Sequence, residues 1–356
     1  METRLGRARG KRAAVIARLG VALACAALLA SVGCSGTGDG FGRRTVAVAF
    51  YAFFEPVSLS ADPEPGTAGF DVHVGYEADL LSAIEAMEGV GLRFERRGIS
   101  TWEGIWFEPA TGGTDLAAGG ITILESRTVD AAGDTVVAFT DGHIEFRQSL
   151  LVRAGDAPRL DDHDSLTGGD IVGALPNTTG EARLLQLIGV ADEAGGLNAG
   201  TRVHTPAGEV VVAADGALTI TAAGASPELA RRVRLIPADP NRPQVLYLGD
   251  DAGAPLGEAA LLSALSEGRV DAVARGAVGN SQIAAASQGQ FAVTAFDDQV
   301  EQGGFVVDAA DTDLLERMNT ALGWLTDNGR IGFAHWLADP DIFMARAAHW
   351  PALQQP

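Results

Sequence analysis

From Arg44 onward, short apolar runs alternate with amphipathic helical segments, and this alternation constrains the fold more than any other feature of the chain. Residues 45–50 form one such run. Over 76–87, Leu80, Leu81, Ile84 and Met87 recur at helical spacing, and Gly89 and Gly91 close the helix. The pattern then predicts a strand at 92–96, a helix from Trp102 and a buried strand over 115–123. Strands at 149–152 and 170–174 follow. Thr178-Thr179-Gly180-Glu181 has the spacing of a capping box ahead of a helix over 182–188. Repeated strand-helix units hide a sheet beneath helices, so the expected class is α/β.

The rhythm breaks between about 189 and 243. There 209–213 and 218–222 flank Asp215-Gly216, which reads as a tight β-hairpin inside an insertion. The α/β pattern resumes with a strand at 244–248, a helix at 259–266 and a strand at 270–274. Asp311 is placed to cap a helix whose apolar face is Leu315, Met318, Leu322 and Leu325; Asn328-Gly329 stops it, and a last amphipathic segment covers 333–337.

The first 43 residues have a different character. Arg4, Arg7, Arg9, Lys11, Arg12 and Arg18 precede an apolar stretch, 19–33, too short to cross a bilayer comfortably. Ala30-Ser31-Val32-Gly33-Cys34 resembles a lipobox, with Ser31 where leucine is usual. Residues 1–33 are therefore expected to be a lipoprotein signal peptide, with Cys34 the lipidated N-terminus carrying palmitate-type chains and 34–43 a flexible tether. An ordinary cleaved signal or an uncleaved anchor are the alternatives, and all three export the chain. Both cysteines, Cys25 and Cys34, lie in this region, so the body has no disulfide, cysteine metal site or thiol nucleophile. The formal net charge of −20 argues against nucleic acid as a partner.

Trp102-Glu103-Gly104-Ile105, 115–123 and Arg127-Thr128-Val129-Asp130 come in an order that resembles the family 3 extracellular solute-binding proteins of ABC importers. So do Ala138-Phe139-Thr140-Asp141, 148–153, Leu166-Thr167-Gly168, Thr178-Thr179-Gly180-Glu181 and 264–273. The likeness covers nearly all of 45–337 except the insertion. It implies a type II periplasmic-binding-protein fold: two α/β lobes joined by two crossover hinge strands, with a β-hairpin insertion in the second lobe and ligand held between the lobes. By this analogy lobe 1 spans 44–146, lobe 2 spans 147–299 with the insertion at about 189–243, and 300–356 returns to lobe 1 with the C-terminal helices. The crossovers fall near 145–147 and 300–303.

The resemblance also implies a site. Arg127 matches an arginine that forks onto a ligand carboxylate, a task suited to a planar guanidinium. Thr122 and the Gly119-Gly120 backbone match the polar edge beside it, with Gly120 allowing close approach to the main chain. Thr178 and Thr179 match a hydroxyl and helix N-terminal amides in the second lobe, and Thr178 reads equally well as a helix cap. Tyr51 and Trp102 match apolar walls, whereas Phe53 and Phe54 read as core, or as wall where the match slips by one or two residues. Where the family usually has an acid for the ligand ammonium, this chain has Gly276, after Ala274-Arg275. Glu125, Glu145 and Asp141 are the candidates for the missing charge.

The expected function is a substrate-binding lipoprotein of an ABC importer, taking a small carboxylate-bearing solute such as an amino acid or related organic acid. Its partners would be an ABC transporter permease and, through the lipid anchor, the membrane; it would act as a monomer on the outer side of the cell membrane, without cofactor. Two alternatives are a cyclohexadienyl dehydratase-like enzyme on the same fold and a ligand-less lipoprotein acting through protein contacts. No poised acid or nucleophile elbow stands out. Asp161-Asp162-His163-Asp164 reads as a solvated connection rather than a metal site.

Overall fold

The computed structural model describes residues 43–215, 218–249 and 257–351. Cys34, the signal segment and most of the tether lie outside the described residues. Among those described, no helix is long and apolar enough to cross a membrane.

Two sheets form the frames of two lobes. The first has five strands in the order Leu92–Ile99, Arg44–Tyr51, Leu116–Ala118, Val306–Asp308 and Val137–Phe139. Its first three are parallel, and Val306–Asp308 enters antiparallel. The helix Tyr76–Ala86 covers one face, with Tyr76, Leu80, Leu81 and Ile84 fully buried. They share a core with Leu314, Met318 and Leu322 of Thr312–Leu325 and with Phe343 of Ile342–Ala347, so the C-terminal helices pack on this lobe. Asp311 caps Thr312–Leu325 by accepting from Leu314 N at 3.2 Å.

The second sheet has eight strands, ordered Gly208–Val211, Arg202–Thr205, Arg234–Ile236, Gln244–Leu246, Ile171–Gly173, Ala272–Gly276, Gln148–Arg153 and Phe291–Thr294. Between the lobes, Ile144–Phe146 and Glu301–Gly303 pair antiparallel. These two strands carry the chain out of the first lobe and back, which is the topology of a type II periplasmic-binding-protein fold.

Three sequence expectations change. The helix expected from Trp102 is a 3-10 segment, Ile105–Thr111, entered through Gly104 at φ 77° and interrupted by Pro109. The strand expected over 115–123 stops at Ala118, because Gly119 and Gly120 take φ of 147° and 65° and turn the chain. The hairpin strands of the insertion pair differently from the expectation around Asp215. Gly208–Val211 folds back on Arg202–Thr205, and a separate small hairpin pairs Ile220–Thr221 with Gly224–Ala225. The first hairpin joins the sheet through Arg202–Thr205 against Arg234–Ile236, so the insertion extends the second-lobe sheet along one edge. Pairing a strand with the nearest edge satisfies its backbone groups, and alternation along the strand does not specify which edge that is.

Candidate functional site

A cavity of about 90 Å³ lies between the lobes, lined from both sides. On the first-lobe side, Tyr51 stands at the end of its strand and meets Trp102 edge-on, with ring centroids 5.2 Å apart. Phe53 and Phe54, read from the sequence as core in preference to wall, pack against the first-lobe core and also line the cavity, where Phe54 leans on Phe146 at 5.8 Å. Burial, helped by Glu258, pushes the Tyr51 phenol up to about 12.

The polar edge of this lobe is the turn at Gly119-Gly120. A Cβ on Gly119 would meet Tyr51 Cβ at 2.6 Å, and one on Gly120 would meet the Phe54 ring at 2.5 Å, so the aromatic wall can close only over glycine. Glu77, fully buried on the helix behind, accepts from Gly119 N at 2.7 Å and Gly120 N at 3.0 Å. Burial raises that carboxyl to about 8 against the pull of these two N–H groups. Gly120 and Thr122 line the cavity.

The second lobe contributes a helix N-terminus and a charge pair. Thr178 caps Thr179–Leu187, accepting from Glu181 N at 3.2 Å and donating to Leu175 O at 2.8 Å, so its hydroxyl is committed to the cap. Thr178, Thr179 and Gly180 line the cavity, and first-turn N–H groups of a helix favour anionic oxygen. Thr179 Oγ1 accepts from Gln148 Nε2 at 3.1 Å, and the same nitrogen donates to Glu301 at 2.8 Å. A carboxylate cannot donate, so this bond fixes the amide orientation and leaves Gln148 Oε1 as a buried acceptor without a partner among the described residues.

Arg275 and Glu258 complete this wall as an ion pair, with Arg275 also over the Phe54 ring at 5.8 Å. Burial pulls the Arg275 guanidinium down and the Glu258 carboxyl up, each against the other's charge. Gly276 lines the same wall, and a Cβ there would meet nothing within 4 Å. Glu125, Glu145 and Asp141 are exposed, and among the described residues the acid lining this cavity is Glu258. Sequence reasoning missed Glu258, Gln148 and Phe146; a lone acid opening a helix after Gly257 gives no signal of facing a cavity that other segments build.

Arg127 does not line the cavity. It is fully buried behind Thr122 and Trp102, with its guanidinium carbon 4.5 Å from the Trp106 ring centroid and 5.5 Å from that of Trp102. Its Nη1 donates to Thr122 O at 3.1 Å and its Nη2 to Ala222 O, on the small insertion hairpin, at 2.8 Å. Tyr51, Trp102, Gly120, Thr122, Thr178 and Thr179 thus meet at one cavity, and Arg127 adjoins it. The carboxylates of Asp161 and Asp162 serve local turns, to Ser165 Oγ at 2.7 Å and Asp164 N at 3.0 Å. No cluster among the described residues could hold a metal ion.

Two α/β lobes, two crossover strands and a mixed aromatic and polar cavity between the lobes define a two-lobed binding protein of the type II periplasmic class. The sequence profile of the bacterial extracellular solute-binding proteins, family 3, matches residues 47–336, and the chain belongs to that family. It is accordingly an exported protein of a binding family. Similar solved structures include a mutant of ArgBP from T. maritima, at 20% identity and TM-score 0.52, covering 86% of this chain and 94% of that one. A substrate-binding protein of an ABC uptake transporter from Streptococcus pneumoniae, with bound histidine, has 15% identity and TM-score 0.52, covering 86% and 92%. The ancestral amino acid-binding protein AncCDT-1, described as a precursor of cyclohexadienyl dehydratase, has 17% identity and TM-score 0.52, covering 86% and 95%. At these identities the likeness establishes the fold. No curated protein matches the chain.

Proposed function

We propose that this protein is the receptor of an ABC importer that closes its lobes on a small carboxylate-bearing solute, an amino acid or a close organic-acid relative. The observation that carries this reading is the composition of one cavity wall: aromatic rings from one lobe face a helix N-terminus, an unpaired amide oxygen and an arginine-glutamate pair from the other. A few polar groups fixed among apolar walls are what a small-ligand site requires. Acceptors at Gln148 Oε1 and Glu258 suit a solute amine, and the N-terminal turn at Thr178-Thr179-Gly180 suits a carboxylate. Lobe 1 at 44–146 with its return at 300–356, and lobe 2 at 147–299, would close about the paired crossover strands. Binding groups divided between lobes favour the closed form by the solute's differential affinity, and a permease can read that form. Lipidation at Cys34 would tether a monomeric receptor to the membrane. The bound histidine of the Streptococcus pneumoniae protein and the description of AncCDT-1 as amino acid-binding agree with this class.

The test is a thermal-shift screen against amino acids, keto acids, dicarboxylates and prephenate, followed by calorimetry on any hit. A solute that binds only the folded protein at a hundred times its Kd stabilises it by about 2.7 kcal/mol. The reading expects such a solute, with affinity lowered at least about tenfold by Glu258→Gln, through loss of a charge-assisted contact. Turnover of prephenate would replace receptor with enzyme, and no response to any of these solutes would refute the proposal.

A further inference from the structure

Among the described residues three arginines are buried, and two of them face acids: Arg232 with Glu181 and Arg275 with Glu258. Arg127 has no carboxylate within ion-pair distance among the described residues. Carbonyls take two of its nitrogens, indole faces cover its plane, and its buried Nε has no partner there. Burial drives the guanidinium down to about 9, against a longer-range pull from Glu301. A buried cation held by neutral dipoles is a strong seat for an oxyanion, because a carboxylate accepts from such a fork with both oxygens.

The occupant of one side of that seat is unusual. Ala222 and Ala223 form the tip of the hairpin Ile220–Thr221/Gly224–Ala225, which belongs to the insertion of the second lobe. Ala222 is buried, and Ala223 packs against the first-lobe cluster that contains Trp106. The tip therefore crosses to the other lobe and presents a backbone carbonyl to Arg127. The turn itself is held by two strand pairs and by Thr221 Oγ1, which accepts from Ala223 N at 3.2 Å and donates to Gly224 O at 3.0 Å, while its arms are anchored behind it by Ile220 N to Gly195 O at 2.9 Å and Ser226 N to Thr219 O at 3.0 Å. A neutral carbonyl binds a guanidinium less strongly than a carboxylate does.

Resting on the receptor reading, we propose that the Ala222-Ala223 tip is a built-in competitor for the anion seat of Arg127, which a solute carboxylate reaches by displacing the tip. Thr122 and Trp102 line the cavity and also contact or flank Arg127, so the seat adjoins the cavity. The insertion then sets a threshold for entry: a solute must contribute enough through its carboxylate to replace the Ala222 contact.

The experiment uses acetate as a minimal carboxylate, read by Trp102 and Trp106 fluorescence at constant ionic strength. Removing Ala222 and Ala223 leaves Thr221 and Gly224 as the turn. That variant should bind acetate about tenfold more tightly than the parent, the value of one charge-assisted hydrogen bond, and Arg127→Met should abolish the gain. Thr221→Val, which loosens the tip without shortening it, should give a smaller gain in the same direction and serves if the deletion does not fold. Unchanged acetate affinity in a folded tip variant, or a gain that survives Arg127→Met, overturns the proposal. Those results leave the receptor reading standing if the parent still binds a solute from the screen. Conversely, an Arg127-dependent gain without any binding solute supports the tip as competitor while the receptor reading fails.

Discussion

Arg232→Met should be among the most damaging single changes in the second lobe. Arg232 comes from the insertion and Glu181 from the helix that borders the cavity, with side chains 2% and 0% exposed. Arg232 Nε donates to Glu181 Oε1 at 2.6 Å and Nη2 to Oε2, a two-pronged contact, while Nη2 also reaches Asn177 Oδ1 at 3.2 Å. Removing the cation strands a fully buried carboxylate left with the Asn177 N–H, at 2.7 Å, and the neighbouring Tyr247 hydroxyl. Breaking such a pair from one side costs about 3–5 kcal/mol, whereas replacing both partners with apolar residues avoids the stranded charge. Arg232→Met should therefore lose roughly that amount, and Arg232→Met with Glu181→Met should lose clearly less than the single variant. Urea unfolding followed by circular dichroism at pH 7 measures both. A functional loss should accompany it, because Asn177 meets the first lobe: its carbonyl accepts from Trp102 Nε1 at 3.0 Å and its Nδ2 donates to Glu103 at 2.9 Å. A cost below about 1 kcal/mol for Arg232→Met, or a double variant less stable than the single, would refute the reasoning, since either result means the pair is not a desolvated charge unit.

The buried pair Glu77 and His143, 3.5 Å apart, gives a pH profile with a definite sign. Burial raises Glu77 from 4.5 to about 8 and lowers His143 from 6.5 to about 3, so the folded pair holds one proton between about pH 3 and 8, wherever that proton sits. The unfolded chain holds two below 4.5, one up to 6.5 and none above, so this pair makes stability rise from pH 3 to 4.5 and level off to 6.5. Stability then falls by up to about 1.4 kcal/mol per unit toward pH 8, and Glu77→Gln should remove that fall in pH-dependent urea titrations. Gly120→Ala forces a side chain to φ 65° and into the Phe54 ring, so it should cost at least about 1–3 kcal/mol in urea unfolding and weaken solute binding; an unchanged protein would mean the turn is not as tight as drawn. Trp102→Phe keeps a ring in the wall but deletes the donor to Asn177 O, and calorimetry should show affinity about fivefold lower, the value of one hydrogen bond; equal affinity would remove this contact from the closure mechanism.

What the sequence disclosed depended on whether a signal was local. The helices Tyr76–Ala86 and Thr312–Leu325 were legible because their burial is periodic, and the cap at Thr178 because its spacing is short. The wall residues Tyr51, Trp102, Gly120 and Thr122 followed from ordered motifs in one lobe. The insertion was legible as a break in rhythm, but its pairing was not: the strand at Glu209 had two possible neighbours, and the edge offered by Arg202–Thr205 won. Glu258 and the Ala222 carbonyl were invisible for a stronger reason. One is a single acid at the start of a helix whose family motif begins only at Ala264, and the other is a main-chain oxygen, which no side-chain pattern encodes.

These two unseen groups change how the charge pattern of the site is understood. Judged by residue type alone, Arg127 is a free anchor for a carboxylate, and Gly276 marks the loss of a partner for an amine. In three dimensions the anchor is partly occupied from the chain itself, through Ala222, and a negative charge is present, through Glu258 paired with Arg275. Both positive groups near the cavity are thus engaged within the protein, so a solute gains only the difference between its own contacts and those it replaces. A simple anion exchanging with a carbonyl gains little beyond charge assistance at Arg127. On the proposed reading, a solute with a carboxylate and an amine at opposite ends would engage the seat of Arg127 and the acceptors at Glu258 and Gln148 together, and contacts made jointly would offset the cost of moving the tip. On the same reading, selectivity would come from requiring two simultaneous exchanges, and the insertion would impose the second.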